Sequence, residues 1–179
     1  MKLLFASDIH GSASAARNVI KTFEQEKADY LVFLGDVMYH GPRNPLPDGY
    51  NPAEVAGLLN SVANKVIAVR GNCDAEVDQM LLDFPLTADY NIIALKDFKI
   101  FASHGHTYSP DNLPSGLTSK DIFASGHTHI PALEKKDGRP VIFNPGSAAL
   151  PKENHPATYG VVEDGKIQIK TFDGAIYEI

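Results

Sequence analysis

Five short stretches of this chain carry hard-metal ligands at or just beyond the end of an apolar run. They are Asp8-Ile9-His10, Gly35-Asp36, Gly71-Asn72, His104-Gly105-His106 and Gly126-His127-Thr128-His129. Carboxylate, imidazole and amide oxygen suit manganese, iron, zinc, magnesium or nickel, whereas a structural zinc site draws on cysteine sulfur. One such cluster alone reads as a capped turn or a surface pair. Their repetition, with five of the seven histidines among them, points to a divalent-metal centre. Two cations about 3.5 to 4 Å apart need a shared carboxylate to screen their repulsion. That role falls to Asp36, because Tyr30-Leu31-Val32-Phe33-Leu34-Gly35-Asp36 reads as a buried parallel strand handing one carboxylate to its C-terminal edge.

The elements that position these groups follow from periodicity. Residues 2–7 form an apolar run closed by Asp8-Ile9-His10-Gly11, a strand followed by a glycine turn. Ser12 or Ser14 can cap the next helix, whose Ala16, Val19, Ile20 and Phe23 share a face. With the strand ending at Asp36 this is a βαβ unit. Its two strands are therefore parallel neighbours, and Asp8, His10 and Asp36 meet at one sheet edge. Residues 37–51 are a Pro- and Gly-rich loop, and Asn51-Pro52 opens a helix facing inward through Val55, Leu58, Leu59 and Val62. Residues 65–70 are a third strand ending at Gly71-Asn72-Cys73-Asp74, followed by a short helix carrying Val77, Met80 and Leu81.

After Pro85 strands follow one another, at 91–95, 99–103 and 122–125, with 109–120 a loop or short helix. Asp137-Gly138, Asp164-Gly165 and Asp173-Gly174 mark hairpins, so this half is expected to be mostly antiparallel. Two face-to-face sheets with helices outside are the expected layering.

Length and composition bound the rest. A chain of 179 residues with 44% hydrophobic content is expected to be one globular domain, 1–179. A net charge of −6 and a pI near 5.6 argue against long nucleic acids, whose binding rests on many Lys/Arg–phosphate contacts. The single cysteine excludes an internal disulfide, and neither a signal-peptide core nor a membrane-length apolar run is present, so a cytoplasmic setting is expected.

The order of these motifs resembles that of the calcineurin-like metallophosphoesterase superfamily. Gly35-Asp36-Val37 with His40-Gly41-Pro42-Arg43-Asn44, then Arg70-Gly71-Asn72-Cys73-Asp74 and Asn144-Pro145-Gly146-Ser147, are similar to its small YfcE-type bacterial phosphodiesterases. The resemblance implies a four-layer αββα sandwich, two mixed β-sheets flanked by helices. It assigns Asp8, His10, Asp36 and His129 to one metal, and Asp36, Asn72, His104 and His127 to the other. It implies manganese as the cofactor, with a dimer or tetramer as the assembly. The activity implied is phosphodiester hydrolysis by in-line attack of a hydroxide held between the metals, on a small substrate. A phosphomonoesterase, a short-oligonucleotide nuclease, or a protein-binding scaffold like the retromer subunit of this fold are the alternatives.

One position departs from the pattern. Many members carry histidine after Gly-Asn, where it protonates the leaving oxygen, and this chain has Cys73. Poor turnover of alkyl esters follows unless His106 or a water supplies the proton, and the other reading of Cys73 is a small buried filler. Asp74 either orients a ligand histidine or caps the helix that starts near Ala75. His40 and Arg43, directly after Asp36, are candidates to hold the substrate phosphate or else are solvated loop residues. Residues 144–147 read as a structural turn beside the site.

Overall fold

Three apolar strands organise the chain: β1 (Lys2–Ala6) and β2 (Tyr30–Phe33), buried on both faces along most of their length, and β3 (Val66–Ala68), half-buried at the sheet edge. In the computed structural model, which describes residues 1–179, β1 pairs β2 and β2 pairs β3 in parallel. Between β1 and β2 runs α1 (Ala13–Glu26), capped by the Ser12 hydroxyl, which accepts from the Ala15 amide. Between β2 and β3 runs α2 (Pro52–Asn60), with Asn51 as its cap and Pro52 in the first turn. Alternation along β1 divides its burial. Leu4 and Ala6 join Val19, Phe23, Val55 and Leu59 under the helices, while Leu3 and Phe5 face the interior of the sandwich.

The remaining strands are β4 (Tyr90–Ala94), β5 (Lys99–Ser103), β6 (Ile122–Ala124), β7 (Ala132–Glu134), β8 (Val141–Asn144), β9 (Thr158–Glu163) and β10 (Lys166–Thr171). One sheet has the order β10-β9-β1-β2-β3 and the other β4-β5-β6-β8-β7. Leu3, Phe5 and Val32 of the first meet Ile100, Ala102, Ile122 and Phe143 of the second in one apolar layer. The ring of Phe5 stands edge-on to Phe143 at 5.3 Å. No helix is long and apolar enough to cross a membrane.

Several sequence expectations change here. The hairpins β7/β8 and β9/β10 are antiparallel as Asp137-Gly138 and Asp164-Gly165 imply, and β4/β5 is antiparallel too, but β5, β6 and β8 run parallel. Residues 104–121 give the chain room to cross over between β5 and β6, so the C-terminal ends of both deliver their histidines to the same edge. Residues 109–120 hold no helix, and the outer face of the second sheet is covered by Tyr108, Leu113 and Leu117 packed on Phe101, Phe123 and Ile142. The short helix expected to carry Val77, Met80 and Leu81 is a five-residue 3-10 turn that leaves all three exposed.

Glu26 fastens the end of α1 to the first sheet. It accepts from Lys2 Nζ at 2.5 Å, Lys170 Nζ at 2.7 Å and the Tyr159 hydroxyl at 2.9 Å. Burial opposes its charge, but the Lys170, Lys2 and Tyr159 donors outweigh burial and hold it down at about 2, against an ordinary 4.5. A depressed folded-state pKa contributes stability that is complete above about pH 4.5 and is lost as the pH falls toward 2. Glu26→Gln is therefore expected to cost about 2 to 3 kcal/mol at pH 7, with the gap to wild type closing across that window. Urea midpoints as a function of pH measure it. A gap as wide at pH 2 as at pH 7 would assign the loss to packing instead.

Candidate metal centre

The loops after β1 and β2 are tied together by backbone: Asp8 N–H donates to Gly35 O, His10 N–H to Asp36 O and Gly11 N–H to Val37 O. The second sheet joins them through Gly126 N–H to His104 O, and through His127 N–H to Asp8 Oδ2 at 3.0 Å. Asp8, His10, Asp36, His127 and His129 all adopt positive φ, between 48° and 69°. Left-handed backbone is uncommon outside glycine and costs energy, so five such residues in one site mark a geometry held for function. Gly71 is constrained from the other direction, since a Cβ there would lie 2.1 Å from Asp36 Oδ1.

The imidazoles are oriented by backbone carbonyls. His10 Nδ1 donates to Tyr39 O at 2.8 Å, His104 Nδ1 to Leu34 O at 2.7 Å and His129 Nδ1 to Leu150 O at 2.6 Å. A carbonyl only accepts, so each Nδ1 holds a proton, and each ring, once it carries no second proton, turns an Nε2 lone pair inward. His10 Nε2 lies 3.1 Å from His129 Nε2, 3.7 Å from Asp8 Oδ1 and 3.6 Å from Asp36 Oδ2. His129 Nε2 is 3.3 Å from Asp8 Oδ1. Across the site, His104 Nε2 stands 3.4 Å from Asp36 Oδ2, 3.1 Å from Asn72 Oδ1 and 3.2 Å from His127 Nδ1.

Facing lone pairs repel unless a cation lies between them, and donors bonded to one metal at about 2.0 to 2.2 Å must themselves stand roughly 3 to 3.5 Å apart. Asp8 Oδ1 is buried with no hydrogen-bond partner, while its other oxygen accepts from Ser7 Oγ and His127 N–H. Such an orphaned carboxylate oxygen fits a metal ligand. The residues present thus fit divalent metal, and Asp36 Oδ2 lies within 3.6 Å of ligand nitrogens on either side of the site. Asp36 Oδ1 is held apart by the Cys73 amide at 2.8 Å.

Charge in the site answers to the same need. Burial opposes ionisation of Asp36, but its hydrogen bond and Coulombic attraction to His104 keep it anionic far below the usual carboxylate range. Burial also opposes a proton on His104, yet Asp36 and Asp8 draw its pKa up to about 9. The carboxylates thus attract positive charge to the place where a metal would displace that proton. Burial, with His104 second, lowers His127 and His106.

The sequence of the calcineurin-like phosphoesterase superfamily domain matches residues 1–165. The chain belongs to this superfamily. It is 53% identical to phosphodiesterase YfcE of Escherichia coli K12 over 169 residues, 94% of this chain and 91% of that one. The solved structure of the E. coli phosphoesterase Yfce superposes with a TM-score of 0.95 at 50% identity, covering 99% of this chain and 97% of that one. Chaetomium thermophilum Vps29 shares the calcineurin-like fold alone, at TM-score 0.63 and 16% identity over 99% and 94% of the two chains.

Within this calcineurin-like site the seven expected ligands come together, and other expectations change. Asp74 neither orients a histidine nor caps the turn at Ala75, a task its neighbour Asp78 performs. Its carboxylate accepts from the amides of Asp36, Val37 and Gly71 at 2.7 to 2.8 Å, and so holds the backbone that aims Asp36. Burial pushes Asp74 up to about 6 against those donors, leaving it ionised at pH 7.

A cleft of about 870 Å³ opens over the ligands, lined by Arg43 and Cys73 but by neither His40 nor His106. His40 packs between Tyr39 and Tyr50, its ring centroid 4.7 and 5.5 Å from theirs, so it shapes the loop instead of reaching the substrate space. His106 is exposed beside His104, with ring centroids 5.4 Å apart. Residues 144–147 form the expected structural turn: Ser147 Oγ donates to Asp8 O, and Asn144 Nδ2 to Gly126 O and Thr128 Oγ1. Sequence reasoning missed Ser7, Tyr39 and Lys152. Only Ser7 carried a signal, as a hydroxyl beside a candidate ligand.

Proposed function

We propose that the protein is a phosphoric diester hydrolase that works with two divalent cations, manganese foremost, on a small substrate. The observation that carries this reading is the convergence of imidazole lone pairs and an orphaned carboxylate oxygen on either side of Asp36 Oδ2. A scaffold has no use for that arrangement, and the 53% identity to a named phosphodiesterase supports the enzymatic reading. When bound, the cations supply charge neutralisation for the phosphoryl oxygens and acidify a water toward neutral pH.

The chain's own residues do the rest. The three carbonyls behind His10, His104 and His129 keep those rings in one tautomer and orientation. Asp74 fixes the Asp36 backbone. Arg43, on the cleft wall, is placed to fork onto a non-bridging phosphate oxygen and hold the diester in line. Cys73 lies among these groups, its sulfur within 4.8 Å of the ligand atoms of His10 and Asp36. In the metal-free site burial, then Asp36, pushes its thiol up to about 12, and a neutral thiol is a weak hydrogen-bond donor.

A substrate panel in manganese tests the reading, comparing aryl diesters with monoesters and cyclic with linear nucleotides. Diester hydrolysis that stops with chelator and returns with manganese is expected. Faster monoester turnover would make the protein a phosphomonoesterase, and no hydrolysis in any divalent metal would favour the scaffold.

A further inference from the structure

The cleft is wider than a scissile phosphate needs, and it holds a cation the mechanism above does not use. Lys152 lines it beside Thr128 and His129. The Lys152 amide donates to His129 O at 3.2 Å, and His129 is itself held by Leu150 O, so this segment is indexed to a metal ligand. The turn that follows is costly: Glu153 and Asn154 are consecutive non-glycine residues at φ 53° and 62°, and His155 N–H closes back onto Lys152 O.

Five of the sixteen lysines and arginines are engaged by acids, in Lys2–Glu26, Arg17–Glu54, Arg70–Asp89, Lys136–Glu134 and Lys170–Glu26. Lys152 is in no such pair. The two acids lining the cleft are already engaged, Asp36 with Cys73 N–H and the histidines, Asp74 with three amides. In a chain of net charge −6, long-range attraction for an anionic substrate is absent, so recognition of extra negative charge has to be local.

We infer that Lys152 binds a second anionic group, a phosphate or a carboxylate, borne by the substrate away from the scissile phosphodiester. The inference rests on the phosphodiesterase reading and narrows its substrate class to diesters with at least two negative charges. Arg43, from the loop after β2, serves the scissile phosphate, while Lys152, from the His129 side, selects what is attached to it. A lysine suits this task because its ammonium is a point charge that accepts either group without a fixed fork geometry.

The test uses three p-nitrophenyl phosphodiesters with matched alkyl arms ending in methyl, carboxylate or phosphate, assayed in manganese with wild type, Lys152→Gln and Lys152→Arg. Wild type is expected to show a KM about tenfold lower for a charged arm than for methyl, a preference that shrinks as salt is added. In Lys152→Gln that KM ratio falls toward one, and Lys152→Arg restores it. The arm with the lower KM identifies the second group as phosphate or carboxylate. A wild-type ratio near one, or a ratio that Lys152→Gln leaves intact, overturns the subsite while the phosphodiesterase reading stands. Failure of wild type to hydrolyse any of the three overturns both.

Discussion

Asp36→Asn is expected to lower phosphodiester turnover by about a thousandfold or more and to reduce the bound metal from two ions per chain to at most one. Asp36 Oδ2 stands 3.6 Å from His10 Nε2 and 3.4 Å from His104 Nε2, so it is the one oxygen that addresses both ligand sets. An amide keeps the shape but loses the negative charge, and each cation then faces the other with less screening. Its oxygen also competes for one position: facing the Cys73 amide as Asp36 Oδ1 does, it turns an NH2 toward the imidazoles. Elemental analysis after metal reconstitution, alongside turnover of an aryl diester, measures both effects. A variant that keeps two metals and wild-type turnover would remove Asp36 from the centre of the site. A thermal melt without metal separates this from misfolding, because the fold's apolar layers do not involve Asp36.

Cys73→His is expected to raise turnover of alkyl phosphodiesters by about a hundredfold or more while changing aryl diesters little. A thiol, whose ordinary pKa already lies well above neutral, is a poorer match than an imidazolium for an acid working near pH 7. A p-nitrophenolate leaves without help, whereas an alkoxide does not. The side chain at 73 borders the cleft and is half-buried, which leaves an imidazole open space on the substrate side. Rates on a series of esters with graded leaving-group pKa give the measurement: steep dependence in wild type, shallow in the variant. If wild-type rates are flat across that series when chemistry limits, Cys73 is no handicap and another group already donates the proton.

The candidate ligand set was legible because hard-metal chemistry restricts residue types and because each candidate follows a strand. Asp8 and Asp36 end parallel strands of a βαβ unit, so their meeting follows from topology. His104 and His127 were equally visible as residues, but the parallel course of β5 and β6 that unites them was hidden, since residues 104–121 cross over without a helix to announce it. His40 misled because adjacency in sequence to Asp36 says nothing about which way a loop residue turns. Asp74 misled because carboxylates beside metal sites more often hold imidazoles than amides, and here the amides of Asp36, Val37 and Gly71 were nearer.

By itself the sequence determined which side chains could hold metal, that they sit at strand ends, and that position 73 lacks an imidazole. These properties reside in residue type and local periodicity. Only the tertiary structure decided that Tyr39, Leu34 and Leu150 lend the carbonyls that orient the histidines, that Asp74 braces the shared carboxylate, and that Lys152 reaches the cleft. Every residue has a carbonyl and an amide, so no residue name marks the ones that count. Their selection comes from how two sheets stack and how the loops between them close.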